Sequence, residues 1–260
     1  MRLNVFLQRA GIGSRREAER LVAEGRVTIN GTRAEPTTPV EQGDAVSLDG
    51  KPVTVEHRPL PRLFRLNKPL DFLVTSRDPQ GRPTIFDLDA LKPPQWSSAM
   101  PRLMSVGRLD VNSEGLLILS SDGPLAQAMM SPAAALERVY RVRVYGRLGP
   151  RDIESLSRGV TIDGVYYRGA EFEEEFDKGG RTNAWYRVVL TEGKNREIRK
   201  LMEHFGCKVN RLIRVQYGPF HLDGLKAGEL REIPAAQVRR LIDSLAATPA
   251  KPPPQKRTRR

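Results

Sequence analysis

Apolar positions recur along the chain at two spacings, and these divide it into elements before any residue is given a chemical role. Leu3, Phe6 and Leu7 repeat at helical spacing, and Gly11 to Gly13 ends that helix. Ser14, with Glu17 three positions on, has the form of a capping box; Ala18, Leu21 and Val22 give the second helix its apolar face, and Gly25 stops it. Val27-Thr28-Ile29 alternates as a strand and runs into Asn30-Gly31, a strong tight-turn signal. Gly43-Asp44 and Asp49-Gly50 mark turns on either side of a further strand, Ala45 to Leu48. The proline-punctuated stretch Glu56 to Arg62 reads as a linker.

A longer pattern of strands and helices follows. Phe64 to Leu66 and Phe72 to Thr75 are strand-like, and Thr84 to Leu91 is helical in pattern. Leu116 to Leu119 is a continuous apolar run that fits a buried strand or a buried helix segment. Asp122 precedes a helix over Leu125 to Met130, stopped by Pro132. Val139 to Tyr145 alternates strictly: Tyr140, Val142 and Val144 form one face, Val139, Arg141, Arg143 and Tyr145 the other. A sheet with a core on one side and RNA or water on the other gives that pattern. A helix over Asp152 to Leu156, strands at Val165 to Tyr167 and Trp185 to Leu190, a helix over Asn195 to Phe205, a strand at Val209 to Val215 and a helix over Val238 to Leu245 complete the reading. The acidic run Glu171 to Glu175 is either an edge strand kept charged or a loop. The expected boundaries are 1–58 for a small first unit, 59–62 for the linker and 63–246 for the main domain. Residues 247–260 form a basic tail, rich in proline and lacking core formers, that is expected to be disordered.

Charge narrows the partners. Forty-three Lys and Arg against 31 Asp and Glu leave a formal +12 over 260 residues, which favours a polyanion such as nucleic acid. No apolar run approaches a bilayer span and the start carries no signal-peptide core, so the expectation is a cytoplasmic protein with no membrane partner. Cys207 is the single cysteine, and the three histidines, His57, His204 and His221, are scattered, so neither a disulfide nor a metal site is expected. Neither a P-loop nor a dinucleotide-binding glycine fingerprint occurs, and no cofactor is expected.

The candidate chemistry lies in Gly107-Arg108-Leu109-Asp110-Val111-Asn112-Ser113-Glu114-Gly115-Leu116-Leu117. On spacing alone, Asp110 caps a turn with Arg108 as its ion partner. The stretch resembles, however, the catalytic motif of the ribosomal RNA pseudouridine synthases, and the similarity runs from Arg2 to about Pro234. The segment Gly11-Ile12-Gly13-Ser14-Arg15-Arg16-Glu17-Ala18-Glu19-Arg20-Leu21, with Gly25 to Gly31 after it, is similar to the S4 RNA-binding domain.

The resemblance implies an α+β protein: a small N-terminal S4 domain, then a synthase domain with a mixed, mainly antiparallel sheet and flanking helices. It implies that Asp110 is the catalytic carboxylate. Leu190 to Lys200 resembles the segment whose arginine pairs with that aspartate, a role that falls on Arg199. Tyr140 matches the tyrosine that stacks on the flipped base and moves a proton late in the reaction, and Leu212 matches a leucine of the same pocket. Read from the residues alone, Arg199 is a solvent-facing helix arginine, and Tyr140 and Leu212 are core. Arg108 and Asn112 are expected to shape the loop or touch the flipped nucleotide. Arg9, Arg15, Arg16, Arg20 and Arg26 are expected to grip phosphate, a task suited to planar guanidinium forks. Residues 77–87 and 183–186 and the basic tail align the chain with the large-subunit branch, implying a uridine of 23S rRNA near the peptidyl-transferase centre and a monomeric enzyme. The alternatives are a 16S rRNA enzyme, or a non-catalytic RNA-binding assembly factor.

Overall fold

The computed structural model describes residues 2–10, 12, 15–35, 38–41, 43–53, 60–92, 102–175 and 182–247, without the side chains of residues 8, 9, 15 and 16. The chain divides into two compact units between residues 59 and 60.

In the first unit, α1 (Leu3–Arg9) and α2 (Arg15–Ala23) precede a small antiparallel sheet of β1 (Val27–Ile29), β2 (Thr32–Arg33), β3 (Val46–Leu48) and β4 (Lys51–Pro52), in the order β2-β1-β3-β4. Leu3, Leu7, Ala18, Leu21, Val22, Val27 and Val46 make its core, which is why the helical and alternating spacings sit side by side in the sequence. The Gly25 stop is a Schellman turn: Gly25 N–H donates to Val22 O at 2.9 Å and Arg26 N–H to Leu21 O at 3.2 Å. Asn30 and Gly31 both take positive φ, as the primed turn joining β1 to β2 requires. The Ser14 cap lies outside the described residues.

The second unit contains β5 (Leu63–Lys68), β6 (Met104–Val106), β7 (Glu114–Ser120), α3 (Gly123–Met130), β8 (Arg138–Tyr145), α4 (Pro150–Arg158), β9 (Val160–Ile162), β10 (Val165–Tyr167), β11 (Glu171–Glu175), β12 (Asn183–Leu190), α5 (Glu197–His204), β13 (Lys208–Tyr217), β14 (Phe220–His221), β15 (Leu230–Glu232) and α6 (Ala235–Ala247). Its large sheet runs β11-β12-β8-β13-β7-β5-β15, with β14 on β13 and β6 on β7. Among the described strands only β7 and β13 pair in parallel, so the sheet is mixed and mainly antiparallel. At that seam Gly115 holds φ +100° against the backbone of Arg214, where a Cβ would collide with the Arg214 carbonyl. Two cores pack on the sheet. One gathers Leu66, Leu117, Val142, Val144, Tyr186 and Ile198; the other gathers Leu63, Leu116, Ile118, Met129, Tyr217 and Leu241.

Several sequence expectations change here. Phe72 to Thr75 is no strand: only Leu73 bridges, to Thr84, while Phe72 and Val74 turn onto the core. The residues 84–91 form two 3-10 turns, Ile85–Asp87 and Asp89–Leu91, the first closed by Asp87 accepting from Thr84 N and Oγ1. Met104–Val106 is a strand too short for its period to show in the sequence. Glu171–Glu175 is the charged edge strand, paired to β12 alone. Arg62, read as linker, is built into the sheet: its N–H donates to Ser121 Oγ, and its guanidinium grips Glu232 at 2.7 and 2.6 Å. Helix α5 begins at Glu197 rather than at Asn195, because Arg196 adopts a left-handed conformation, φ 51° and ψ 32°. Ala247 ends α6, and residues 248–260 of the expected disordered tail lie outside the described residues.

Candidate active site

Asp110 stands in the loop between β6 and β7. Burial of Leu116 to Leu119 fixes the strand after it, and a tight set of hydrogen bonds fixes the loop itself. Ser113 N–H donates to Asp110 O at 3.0 Å, and Asp71 N–H donates to Val111 O at 3.0 Å. Lys68, fully buried on β5, points its ammonium into the same loop and donates to Pro69 O and Ser113 O, each at 2.8 Å, and to Val111 O at 3.4 Å. Burial pulls this ammonium down to about 8, opposed by Asp71, Asp110 and Glu114. A buried cation thus replaces the side-chain caps that an irregular loop would otherwise need.

A cleft of about 730 Å³ opens beside Asp110, and Arg108, Tyr140, Leu212 and Arg196 also line it. Tyr140 and Leu212 come from the adjacent strands β8 and β13, whose buried faces they share. Each is under a tenth exposed and each lines the cleft, so burial in the core and a place on the cleft wall coexist at both positions. Asn112 and Arg199 do not line it.

The cation that meets Asp110 is Arg196, with Nη1 at 3.9 Å from Oδ2. Arg199 was expected there. It sits on the first turn of α5 and donates instead from Nη2 to Asn112 O at 2.7 Å and from Nη1 to Val209 O at 3.4 Å. Burial and the nearby Arg196 lower the affinity of Arg199 for its proton, while Asp110 raises it. Arg199 therefore braces the backbone of the Asp110 loop, and the left-handed Arg196 supplies the facing charge. Nor does Arg108 pair with Asp110; among the described residues it forms no ion pair.

Two further arginines went unnoticed in the sequence. Arg138 and Arg214 are buried and stand over the ring of Tyr217, 4.9 and 5.1 Å from its centroid. Arg138 donates to Leu136 O, Thr191 O and Tyr217 Oη; Arg214 Nε donates to Leu116 O at 2.7 Å. Neither has a carboxylate partner among the described residues, so the cleft is cationic where both line it. The signal was present: a charged residue inside the apolar run Leu212-Ile213-Arg214-Val215.

In the first unit, Arg20 is exposed and meets Glu24 at 3.7 Å. Arg26 is engaged by Asp49 through two hydrogen bonds, 2.9 and 2.5 Å, and by Glu24 at 3.4 Å. Arg26 is therefore committed to acidic neighbours, unlike the phosphate-gripping residue expected. Arg9 belongs to α1, and Arg15 and Arg16 to α2, but their side chains lie outside the described residues. Among the described residues no three His, Cys, Asp or Glu side chains gather where a metal ion could sit.

Sequence profiles of two known families match the chain: RNA pseudouridylate synthase over residues 62–204, and the S4 domain over residues 1–46. An uncharacterized RNA pseudouridine synthase of Rickettsia conorii is 41% identical over 235 residues, covering 89% of this chain and 96% of that protein. The ribosomal large subunit pseudouridine synthase B of Yersinia pestis is 40% identical over 270 aligned positions, covering 100% of this chain and 81% of the relative. The crystal structure of a pseudouridylate synthase superposes with a TM-score of 0.63 over 93% of this chain and 99% of its own; at 24% identity this likeness concerns the fold alone. With a synthase fold that carries these matches and an S4 domain ahead of it, the chain belongs to the RNA pseudouridine synthases.

Proposed function

We propose that this enzyme converts one uridine of 23S ribosomal RNA, near the peptidyl-transferase centre, into pseudouridine, with Asp110 as the essential carboxylate. The observation that carries this reading is the meeting of Asp110, Tyr140 and Leu212, from one loop and two strands, in a single cleft. The relative from Yersinia pestis, by its name a large-subunit enzyme, supports the choice of 23S over 16S rRNA.

The reaction is an isomerisation. The bond from ribose C1′ to uracil N1 breaks, the base turns, C5 joins C1′, and a proton leaves C5 while N1 gains one. No redox partner or energy source enters that balance. The base has to leave its stack to reach the cleft. Tyr140 stacks on it, an interaction worth ~1–3 kcal/mol, with Leu212 on the opposite wall. Asp110 acts on the glycosidic carbon, and Arg196 opposes the cost of holding its charge away from water. Arg108 and Asn112, exposed beside Asp110, contact the RNA backbone around the flipped nucleotide. Arg9, Arg15, Arg16 and Arg20 bring the S4 domain onto folded RNA. The enzyme works as a monomer in the cytoplasm, without a cofactor.

The test is to map pseudouridines in rRNA from cells with and without the gene, then restore it as wild type or as Asp110→Asn. One 23S position is expected to lose its pseudouridine and to regain it only with the wild type. Purified D110N is expected to fold and to bind rRNA while forming no detectable product. Turnover within tenfold of wild type would remove Asp110 from its role; a lost 16S position would move the substrate to the small subunit, and no lost position would leave an assembly factor.

A further inference from the structure

Arg138 and Arg214 line the cleft, and the isomerisation above uses neither. Arg138 is 8% exposed and Arg214 2%. Arg214 faces Tyr140 across β13 and β8, and Arg138 lies two positions before Tyr140 on the same side of its strand. Both guanidiniums therefore belong to the inner wall beside that tyrosine. The acids that line the cleft are engaged elsewhere: Asp110 faces Arg196 at 3.9 Å, Glu192 accepts from Lys194 Nζ at 2.5 Å, and Glu197 accepts from Lys194 N–H at 2.8 Å. Only the Nε of Arg214 has an acceptor among the described residues, the Leu116 carbonyl, and its Nη2 is buried with none. Arg138 donates to neutral oxygens alone, Leu136 O, Thr191 O and Tyr217 Oη. The Tyr217 ring that both share offsets only a small part of the cost of taking two charges out of water. Two buried cations over one ring, with no counter-charge from the described residues, fit a ligand that is itself an anion.

RNA offers two anions to such a site. Its phosphates are charged throughout, and because the backbone has to run in and out of the cleft they stay at the mouth, where Arg108 is exposed. The other anion exists only during the reaction. When Asp110 acts on the glycosidic carbon, the electron pair of the C1′–N1 bond leaves with the base. The base becomes the uracil monoanion, its charge shared among N1, O2, O4 and C5. N1 and O2 then lie side by side as the oxygens of a carboxylate do, and they match a guanidinium fork. In the intact nucleotide N1 is bonded to C1′ and offers no acceptor. The contact therefore forms as the bond breaks, and a contact stronger in the transition state than in the bound substrate speeds the step.

We propose that Arg138 and Arg214 are catalytic residues that hold the detached uracil as its monoanion while it turns. The inference deepens the functional reading above and rests on it. A half-turn about the C6–N3 axis of the base exchanges O2 with O4 and N1 with C5, so donors that meet O2 before the turn meet O4 after it. C5 then bonds to C1′ in place of the Asp110 oxygen, C5 gives up its proton, and N1 gains one. The negative charge on the base is thus quenched only at the end, and the two arginines face it from bond breaking to bond making.

The test sets wild type beside Arg214→Gln and Arg138→Gln on a short rRNA carrying the mapped position as uridine or as 5-fluorouridine. Cleavage of the C1′–N1 bond is scored in single turnovers at saturating enzyme, by digestion to nucleosides, and RNA affinity is measured in parallel. Fluorine makes the base a better leaving anion, so its departure depends less on the protein. R214Q is expected to slow cleavage of uridine by about a hundredfold and of 5-fluorouridine by about tenfold less, with affinity nearly unchanged. R138Q is expected to show the same order, and it leaves the Leu116 carbonyl its donor, so it carries the comparison if R214Q melts below the assay temperature. Equal slowing on the two RNAs overturns the proposal. Lost affinity with an intact saturating rate also overturns it and gives the arginines to a phosphate. Either result in an enzyme that still makes pseudouridine refutes this inference alone, whereas wild type that leaves uridine unchanged refutes the functional reading.

Discussion

At the scale of single residues, Arg196 and Arg199 stand three positions apart and do different work. Arg196 offers its charge to Asp110 across 3.9 Å from a half-exposed side chain, so its removal costs little in folding. Arg199 is half-buried, holds a loop carbonyl at 2.7 Å, and leaves its buried Nε without a partner. Arg196→Ala is expected to lower the single-turnover rate by at least tenfold with melting temperature nearly unchanged. Arg199→Ala is expected to lower both, with a stability loss of about 1–3 kcal/mol from the stranded carbonyls. Rates and thermal melts of the two variants separate the roles; a rate loss confined to R199A would return the pairing to Arg199. The sequence motif narrowed the choice to this helix start but could not resolve it, because one residue in a left-handed conformation decides which arginine turns towards the aspartate.

At the scale of elements, the Asp110 loop is held from outside by β5. The Lys68 ammonium collects three carbonyls that have no other donor from a side chain, and one of them also takes the Asp71 N–H. Lys68→Met keeps the length of the side chain and strands those carbonyls. It is expected to lower stability by ~3 kcal/mol and to slow turnover further than that loss explains, because the loop relaxes. Denaturant melts and rates at a temperature where the variant remains folded check this; unchanged turnover would make Lys68 a matter of folding alone. The strands β5, β8, β12 and β13 and the helices α3, α4, α5 and α6 were legible from their spacing, whereas β7, buried on both faces, showed only a continuous apolar run that fitted strand or helix alike. What escaped is of another kind. A lysine within Leu66-Asn67-Lys68-Pro69 looks like a strand end meeting water, and only the third dimension brings the carbonyls of residues 69, 111 and 113 around it. The three-residue β6 and the single bridge at Leu73 left no period to read.

At the scale of the whole molecule, binding and chemistry are expected to fall on different stretches of the chain. The net charge lies almost wholly in the second unit, +1 over residues 1–59 against +11 over residues 60–260, yet Arg9, Arg15, Arg16 and Arg20 belong to the first and the cleft residues to the second. Every phosphate left without its arginine flattens the dependence of log affinity on log salt by ~0.7–0.9. Replacing Arg15, Arg16 and Arg20 with alanine is expected to flatten it by up to about three such steps, while turnover at saturating RNA is spared. Arg26→Ala is expected to leave the slope almost as it is, because Asp49 and Glu24 already occupy that guanidinium. Affinities across a salt series, set beside single-turnover rates, decide the matter. An unchanged slope in the triple variant would mean that α2 is not the docking surface.

The parallel seam between β7 and β13 carries one more consequence, in time rather than in space. Its partners are far apart along the chain: Arg211 and Glu114, which join across it, are separated by 97 residues. A nascent chain grows at ~5–20 residues per second, so roughly 5–20 s of synthesis pass between the two strands. The S4 domain, built from local pairings, can fold within the first moments of that process, and the Asp110 loop is made soon after. The cleft still lacks its floor until β13 emerges and brings Leu212 and Arg214 alongside Gly115. A growing chain therefore acquires its grip on RNA well before it acquires the means to alter it, and chains halted before Lys208 should hold RNA without ever modifying it.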